Sequence, residues 1–172
     1  FYQITTTTFS GHYTVGAGQT FTSLTNPGGL FEAINNGSVT GNVTAYVTSN
    51  LTEYGNNALN PWGGSYTLTI APDAATERLI SGNISTTFGM IRFFGADNVI
   101  IDGRFSGSGR YLRFRNINTT MPVFTLYNDA TGNTVRNCII EGANTITTYG
   151  TIFFGTGLVT GNDNNTITEN MI

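Results

Sequence analysis

Lysine is absent from this 172-residue chain, and all seven of its cationic side chains are arginines. Against ten acids they leave a net charge of −3 and a pI near 4.9. No basic stripe is available to follow a phosphate backbone, which excludes nucleic acid as a partner. Cysteine occurs once, at Cys138, so neither a disulfide framework nor a cysteine-based metal site can form. Inside the apolar run VRNCII that thiol reads as a small buried hydrophobe. Histidine also occurs once, at His12, ahead of the first strand read from the sequence. A Ser-His-Asp triad and a multi-histidine metal site are thereby excluded, and no metal, cofactor or catalytic residue is expected. No stretch approaches the roughly 20 apolar residues of a membrane span, so no span is expected.

What is present is glycine, 22 residues, with threonine and asparagine supplying most of the polar side chains. Only 10% of residues are charged, yet 39% are hydrophobic, with 12 Phe and 8 Tyr, enough apolar surface for one folded domain. A polar surface of hydroxyls and amides suits a β-rich protein outside the cell, and the opening FYQITTTTF is expected to be a start left by processing. Several N-x-[ST] triplets, among them those at Asn42, Asn50, Asn83, Asn118 and Asn164, are at the level chance gives in so Asn- and Thr-rich a chain.

Three short segments organise the chain: NVIID from Asn98, NTVRN from Asn133 and NTITEN from Asn165. Their leading asparagines are separated by 133 − 98 = 35 and 165 − 133 = 32 positions. That spacing predicts stacked coils, with Tyr66, Asn98, Asn133 and Asn165 opening successive ones. Further strands are predicted at Tyr13–Val15, VTAYVTS, YTLTIAP, RLISGN, MIRFFG, YLRFRN, VFTLYN, VRNCIIEG and TIFFGT. Each is short and bounded by turn residues. Tight Asn-Gly or Asp-Gly hairpins between alternating strands are lacking, which disfavours a sandwich or barrel. The fold class read here is all-β, a right-handed parallel β-helix of three-strand coils.

In such coils Ile100, Val135 and Ile167 are expected to stack in the lumen. Asn137 is expected at a sharp bend, bonded to its counterpart one coil away. Leu30, Phe31 and Ile34 recur at helical spacing before Gly37, predicting a two-turn helix that lids the first coil. Residues 1–42 are therefore read as an N-terminal strand and capping helix, and 43–172 as the coils. Because the chain stops inside TITENMI without a polar cap, the coils are expected to continue beyond it.

The succession YTVGAGQTFTSLT, LFEAINNGSVTGNVTAYVTSNLTE, RLISGN, FFGADNVIIDG and GNTVRNCIIEG, from Tyr13 to Gly142, resembles the amino-terminal β-helix region of large secreted surface proteins of type IX-secreting bacteria. The resemblance implies an extracellular or cell-surface location and a role in adhesion, as a stalk or as a glycan-facing module. Surface glycans or other surface proteins would be its partners, with the secretion machinery in transit. No catalytic residue comes with it.

The alternative is a polysaccharide lyase or glycoside hydrolase of the pectate-lyase-like β-helix type. A lyase needs a cationic base beside carboxylates, for which Arg113 and Arg115 are the nominees; a hydrolase needs two carboxyls flanking one bond, and stacking could bring Asp102 and Glu169 onto one face two coils apart. Ladders of T-x-T at Thr67, Thr145 and Thr166 suggest ice binding. They fail where Val99, Ile101 and Arg136 stand at threonine positions. Trp62, in the Gly-rich segment ALNPWGGSY, is the sole tryptophan and a candidate sugar platform, although packing against the sheet is the more economical reading.

Overall fold

The computed structural model describes residues 6–86 and 88–172, so the opening FYQIT lies outside the described residues. In chain order the elements are β1 (Thr8–Val15), α1 (Leu30–Asn36), β2 (Ser38–Val47), β3 (Leu51–Thr52), β4 (Leu68–Pro72), β5 (Arg78–Gly82) and β6 (Ile91–Phe94). They continue with β7 (Val99–Asp102), β8 (Leu112–Asn116), β9 (Phe124–Tyr127), β10 (Thr134–Arg136), β11 (Ile139–Gly142), β12 (Ile152–Phe154) and β13 (Thr166–Thr168). Among the described residues all ten strand pairings are parallel. The chain winds as a β-solenoid of about five turns. One wall has strand order β1-β2-β4-β7-β10-β13, the second β11-β8-β5-β3 and the third β12-β9-β6. We call them walls A, B and C.

Alternation along each strand builds the core. In β4 Leu68, Ile70 and Pro72 point inward, in β8 Leu112, Phe114 and Asn116, and in β6 Ile91 and Phe93. Phe114 of wall B meets Phe124 of wall C edge to face, with ring centroids 4.8 Å apart. Cys138 is buried as expected for a small apolar side chain.

The lumen ladder of wall A is Ala45, Ile70, Ile101, Val135 and Ile167. Ile101, not Ile100, is the residue in register with Val135. Ile100 pairs with Thr134 and faces outward. The same one-residue correction applies to the asparagines. Val99 aligns with the Asn133 position, so Asn98 aligns with Gly132, and Gly132 with Asn164. These three hold left-handed φ of 58°, 69° and 55°, a column of turn residues just outside the strands.

Asn133 does a different job. It is buried; its Oδ1 accepts the N–H of Val99 and its Nδ2 donates to the carbonyl of Ala96, both at 2.9 Å. Asn165 repeats the device one turn on, accepting from Asn133 N–H and donating to Ala130 O, 32 and 35 positions away. Such amides satisfy backbone groups where the chain turns a corner and no strand can pair them.

Asn137 has the expected left-handed bend, φ 51°, and there it splits VRNCIIEG into β10 and β11. It has no asparagine counterpart. The neighbouring register positions are Gly103 and Glu169, and its buried Oδ1 has no hydrogen-bond partner among the described residues. Gly103 is required there, because a Cβ would lie 1.9 Å from the Asn137 carbonyl oxygen.

β1 pairs along its length with β2 and so is the first rung of wall A, with His12 inside it. A boundary at 42 falls within β2. The seven-residue α1 is too short to persist alone and is held by its buried Leu30, Phe31 and Ile34. With the loop before it, it takes the place of walls B and C in the first turn. Asn57 N–H donates to Thr25 O, and Asn60 N–H to Asn35 Oδ1, both at 2.9 Å. This seat on the next turn makes it the lid.

Candidate functional site

The arginines nominated from the sequence lie on the outer face of wall B. Arg113 grips Glu77 with two hydrogen bonds, 2.9 and 2.8 Å, and also bonds Glu141; Arg115 bonds the other oxygen of Glu141. The Arg113 bond holds the Glu77 carboxyl below its ordinary range, and the Arg115 bond does the same to Glu141. Both carboxylates are thus kept ionised, and they engage all three nitrogens of Arg113 and the Nε of Arg115. A lyase base would have to give up its proton, whereas the Arg113 pKa is pushed further up by its bond to Glu77.

The carboxyl pair considered for hydrolysis is out of register by one position. Asp102 aligns with Arg136, and Arg136 in turn with Thr168, one position short of Glu169. Burial raises the Asp102 pKa, but bonds from Arg104 and Arg136 outweigh it and hold the group ionised. A general acid needs the reverse. The carboxyl whose pKa is raised, chiefly by burial, is Glu53, and it faces inward. Its Oε1 accepts from Leu24 N–H at 2.8 Å and its Oε2 from Thr25 N–H and Oγ1–H at 2.8 and 2.5 Å. That carboxylate fastens the lid loop. Among the described residues no group of three or more His, Cys, Asp or Glu is placed to hold a metal.

On wall A the outward column runs Thr44, Thr69, Ile100, Thr134, Thr166, and the next Tyr46, Ala71, Asp102, Arg136, Thr168. Two adjacent T-x-T rungs never occur. The interruption expected from the sequence is real, but the residues that cause it are Ile100, Asp102 and Arg136. Val99 and Ile101 point into the lumen. Trp62 is half-buried against the core, and its indole N–H donates to Tyr66 O at 3.1 Å, so packing accounts for it.

Wall C carries a feature the sequence reading missed. Its outward positions are Arg92 and Phe94 on β6, Thr125 and Tyr127 on β9, and Phe153 and Gly155 beyond them. Phe94 and Tyr127 are register partners with rings 4.9 Å apart. Phe88 lies 4.9 Å from Tyr127 and 6.5 Å from Tyr149, and Tyr149 lies 4.8 Å from Phe153. Five rings thus form one continuous surface across three turns. Arg92 donates to the carbonyls of Gly55 at 2.7 Å and Asn56 at 2.9 Å, tying this wall to the segment above. Burial, opposed by Arg92, raises the Tyr127 phenol, so it stays neutral. The usable sequence signal is the fourth position of IRFF and of FTLY, aromatic in both once the register is known.

A groove of about 380 Å³ opens at the corner where wall B turns into wall C. Thr52, Glu53, Tyr54 and Gly82 to Thr86 line it. Compared with known proteins, the chain matches no family model, no curated protein and no solved structure.

Proposed function

We propose that this chain is a non-catalytic β-helix module of an extracellular, bacterial cell-surface protein, adhesin- or stalk-like, that contacts neutral glycan along the outer face of wall C. The observation that carries the reading is the five-ring surface of Phe88, Phe94, Tyr127, Tyr149 and Phe153. An aromatic ring presents a negative face to the C–H groups on the flat side of a pyranose, and hydroxyls at the sugar's edge need neutral hydrogen-bond partners. The threonine- and asparagine-rich loops nearby have that chemistry, whereas Thr125 is buried with its hydroxyl donated to Phe88 O. On wall B the charge of Arg113 is paired with Glu77 and Glu141, and that of Arg115 with Glu141, so neither is left as an open cationic contact. The lysine-free, threonine- and asparagine-rich composition and the resemblance to secreted surface proteins support the location. Rungs paired only with their neighbours suit a stalk.

Native electrophoresis through gels containing neutral polysaccharides tests this. The wild-type chain is retarded by at least one of them, and Phe94→Ala/Tyr127→Ala runs as if the polysaccharide were absent. Equal retardation of both proteins would remove wall C from the account, and a clean turnover of polysaccharide would remove the non-catalytic reading.

A further inference from the structure

The corner groove faces solvent beside the aromatic wall, and its construction is distinct. One lip is Tyr54, 62% exposed, on a backbone that is held fast: its N–H donates to Asn26 Oδ1 at 2.6 Å, and Asn26 Nδ2 donates to Thr52 O at 2.8 Å. The opposite lip, Asn83 to Thr86, belongs to the next turn and is fastened by the buried Asn116. That amide accepts from Ile84 N–H at 2.9 Å and donates back to Ile84 O at 3.2 Å. Asn118 Nδ2 holds Asn83 Oδ1 at 3.2 Å, which turns the Asn83 amide so that its N–H₂ remains a donor. Between the lips the floor is kept low by Gly82, where a Cβ would lie 2.4 Å from the Glu53 carbonyl oxygen.

Three features select a ligand. The volume, about 380 Å³, falls at the small end of the range for small-molecule sites, about 300–1,000 Å³. The polar groups on offer are neutral: the Nδ2 of Asn83, whose Oδ1 is taken by Asn118, and the hydroxyls of Thr52, Tyr54 and Ser85, none of these four bonded to another described residue. The one charged lining residue, Glu53, has its carboxylate turned away onto Leu24 and Thr25. A cation would find no free carboxylate, and an anion no cation.

We infer that the Tyr54–Asn83–Ser85 groove is a binding site for a single neutral pyranose, with the Tyr54 ring as the stacking face and the Asn83 amide and Ser85 hydroxyl as the partners of ring hydroxyls. The inference rests on the glycan reading of the molecule, and it adds a built pocket for one sugar unit beside the open aromatic wall. Because both lips are fixed by hydrogen bonds from asparagine side chains of other turns, little ordering is needed on binding.

The test is a titration of the ¹⁵N-labelled chain with the methyl glycosides of glucose, galactose, mannose and N-acetylglucosamine, read by amide chemical shifts. At least one glycoside is expected to shift residues 52–54 and 82–86 with a dissociation constant on the order of 1 mM. Tyr54→Ala, at an exposed position, is expected to fold normally and to bind about 5-fold more weakly, the effect of losing one aromatic contact. The same titration of Phe94→Ala/Tyr127→Ala is expected to retain the groove shifts. Shifts confined to Phe94, Tyr127 and Phe153, or an unchanged response in Tyr54→Ala, would overturn the groove while leaving the wall reading intact. Silence from all four glycosides, with polysaccharide retention by the wild-type chain preserved, would also overturn it. Groove shifts in a chain that no polysaccharide retards would sink the wall reading alone.

Discussion

Asn133 Oδ1 accepts the backbone N–H of Val99 at 2.9 Å across 34 positions of sequence. The bond is made inside the solenoid, where water cannot replace it. Its amide nitrogen completes the clasp on Ala96 O.

Replacing that side chain with alanine leaves a buried donor and a buried acceptor without partners. Asn133→Ala is expected to lower stability by about 2–4 kcal/mol, from roughly 1–3 kcal/mol for each orphaned group less some relaxation. Asn98→Gly, one coil earlier and at a left-handed turn, is expected to cost under about 0.5 kcal/mol, because glycine takes φ 58° without strain. Urea denaturation of the two variants checks the pair. Equal losses would mean that the two asparagines serve one role.

The Cys138 thiol is fully buried, and burial pushes its pKa far above the ordinary value. A thiol reagent at about pH 8 is expected to leave it untouched in the folded chain and to titrate one group per molecule in denaturant. Fast labelling without denaturant would contradict the burial of Cys138 between β10 and β11.

Stability depends on pH through two opposed sets of carboxyls. Glu77 and Glu141 have folded pKa values lowered by bonds from Arg113 and Arg115. Asp129 is lowered too, since backbone N–H groups of Val159, Leu158, Gly161 and Thr160 outweigh its desolvation. These groups contribute stability above their unfolded pKa values, and it is lost as pH falls through the folded ones. Glu53, raised chiefly by burial from an ordinary value of 4.5, acts oppositely. Its contribution is greatest below that value and declines as pH rises towards the folded pKa. The wild-type denaturation midpoint is therefore expected to fall on acidification below about pH 4. Glu53→Gln carries a fixed loss from its altered hydrogen bonds, but its deficit against wild type should shrink as pH rises above about 4.5. A deficit that grows over that interval would mean that Glu53 is stabilised as the anion.

Much of this fold was legible because its period is written in repeated strands, and the parallel coils and the lidding helix follow from that. The register was not, for two physical reasons. Ile100 faces outward and Ile101 inward, both β-branched, so the pair carries no alternation to set the phase. Asparagine also serves two purposes here, left-handed turn at Asn98 and buried clasp at Asn133, and a pattern that aligns the letters misaligns the coils by one. The aromatic wall was hidden for the same reason. Phe94 and Tyr127 meet only when the turns are stacked in phase, and Phe88 and Tyr149 come from connections rather than strands. Trp62, conspicuous for its rarity, donates its N–H to Tyr66 O and packs on the core.

The decisive observation is the salt dependence of glycan binding. The affinity of the wild-type chain for a retarding neutral polysaccharide is to be measured at about 0.05 M and about 0.5 M NaCl, alongside Phe94→Ala/Tyr127→Ala and Arg113→Ala. Ring stacking predicts affinity within about 2-fold at the two salt levels, loss in the aromatic double variant and no change in Arg113→Ala, because screening over a few ångströms leaves stacking untouched. Binding that collapses with salt, or that Arg113→Ala abolishes while the double variant keeps it, would contradict the assignment of wall C as the contact face.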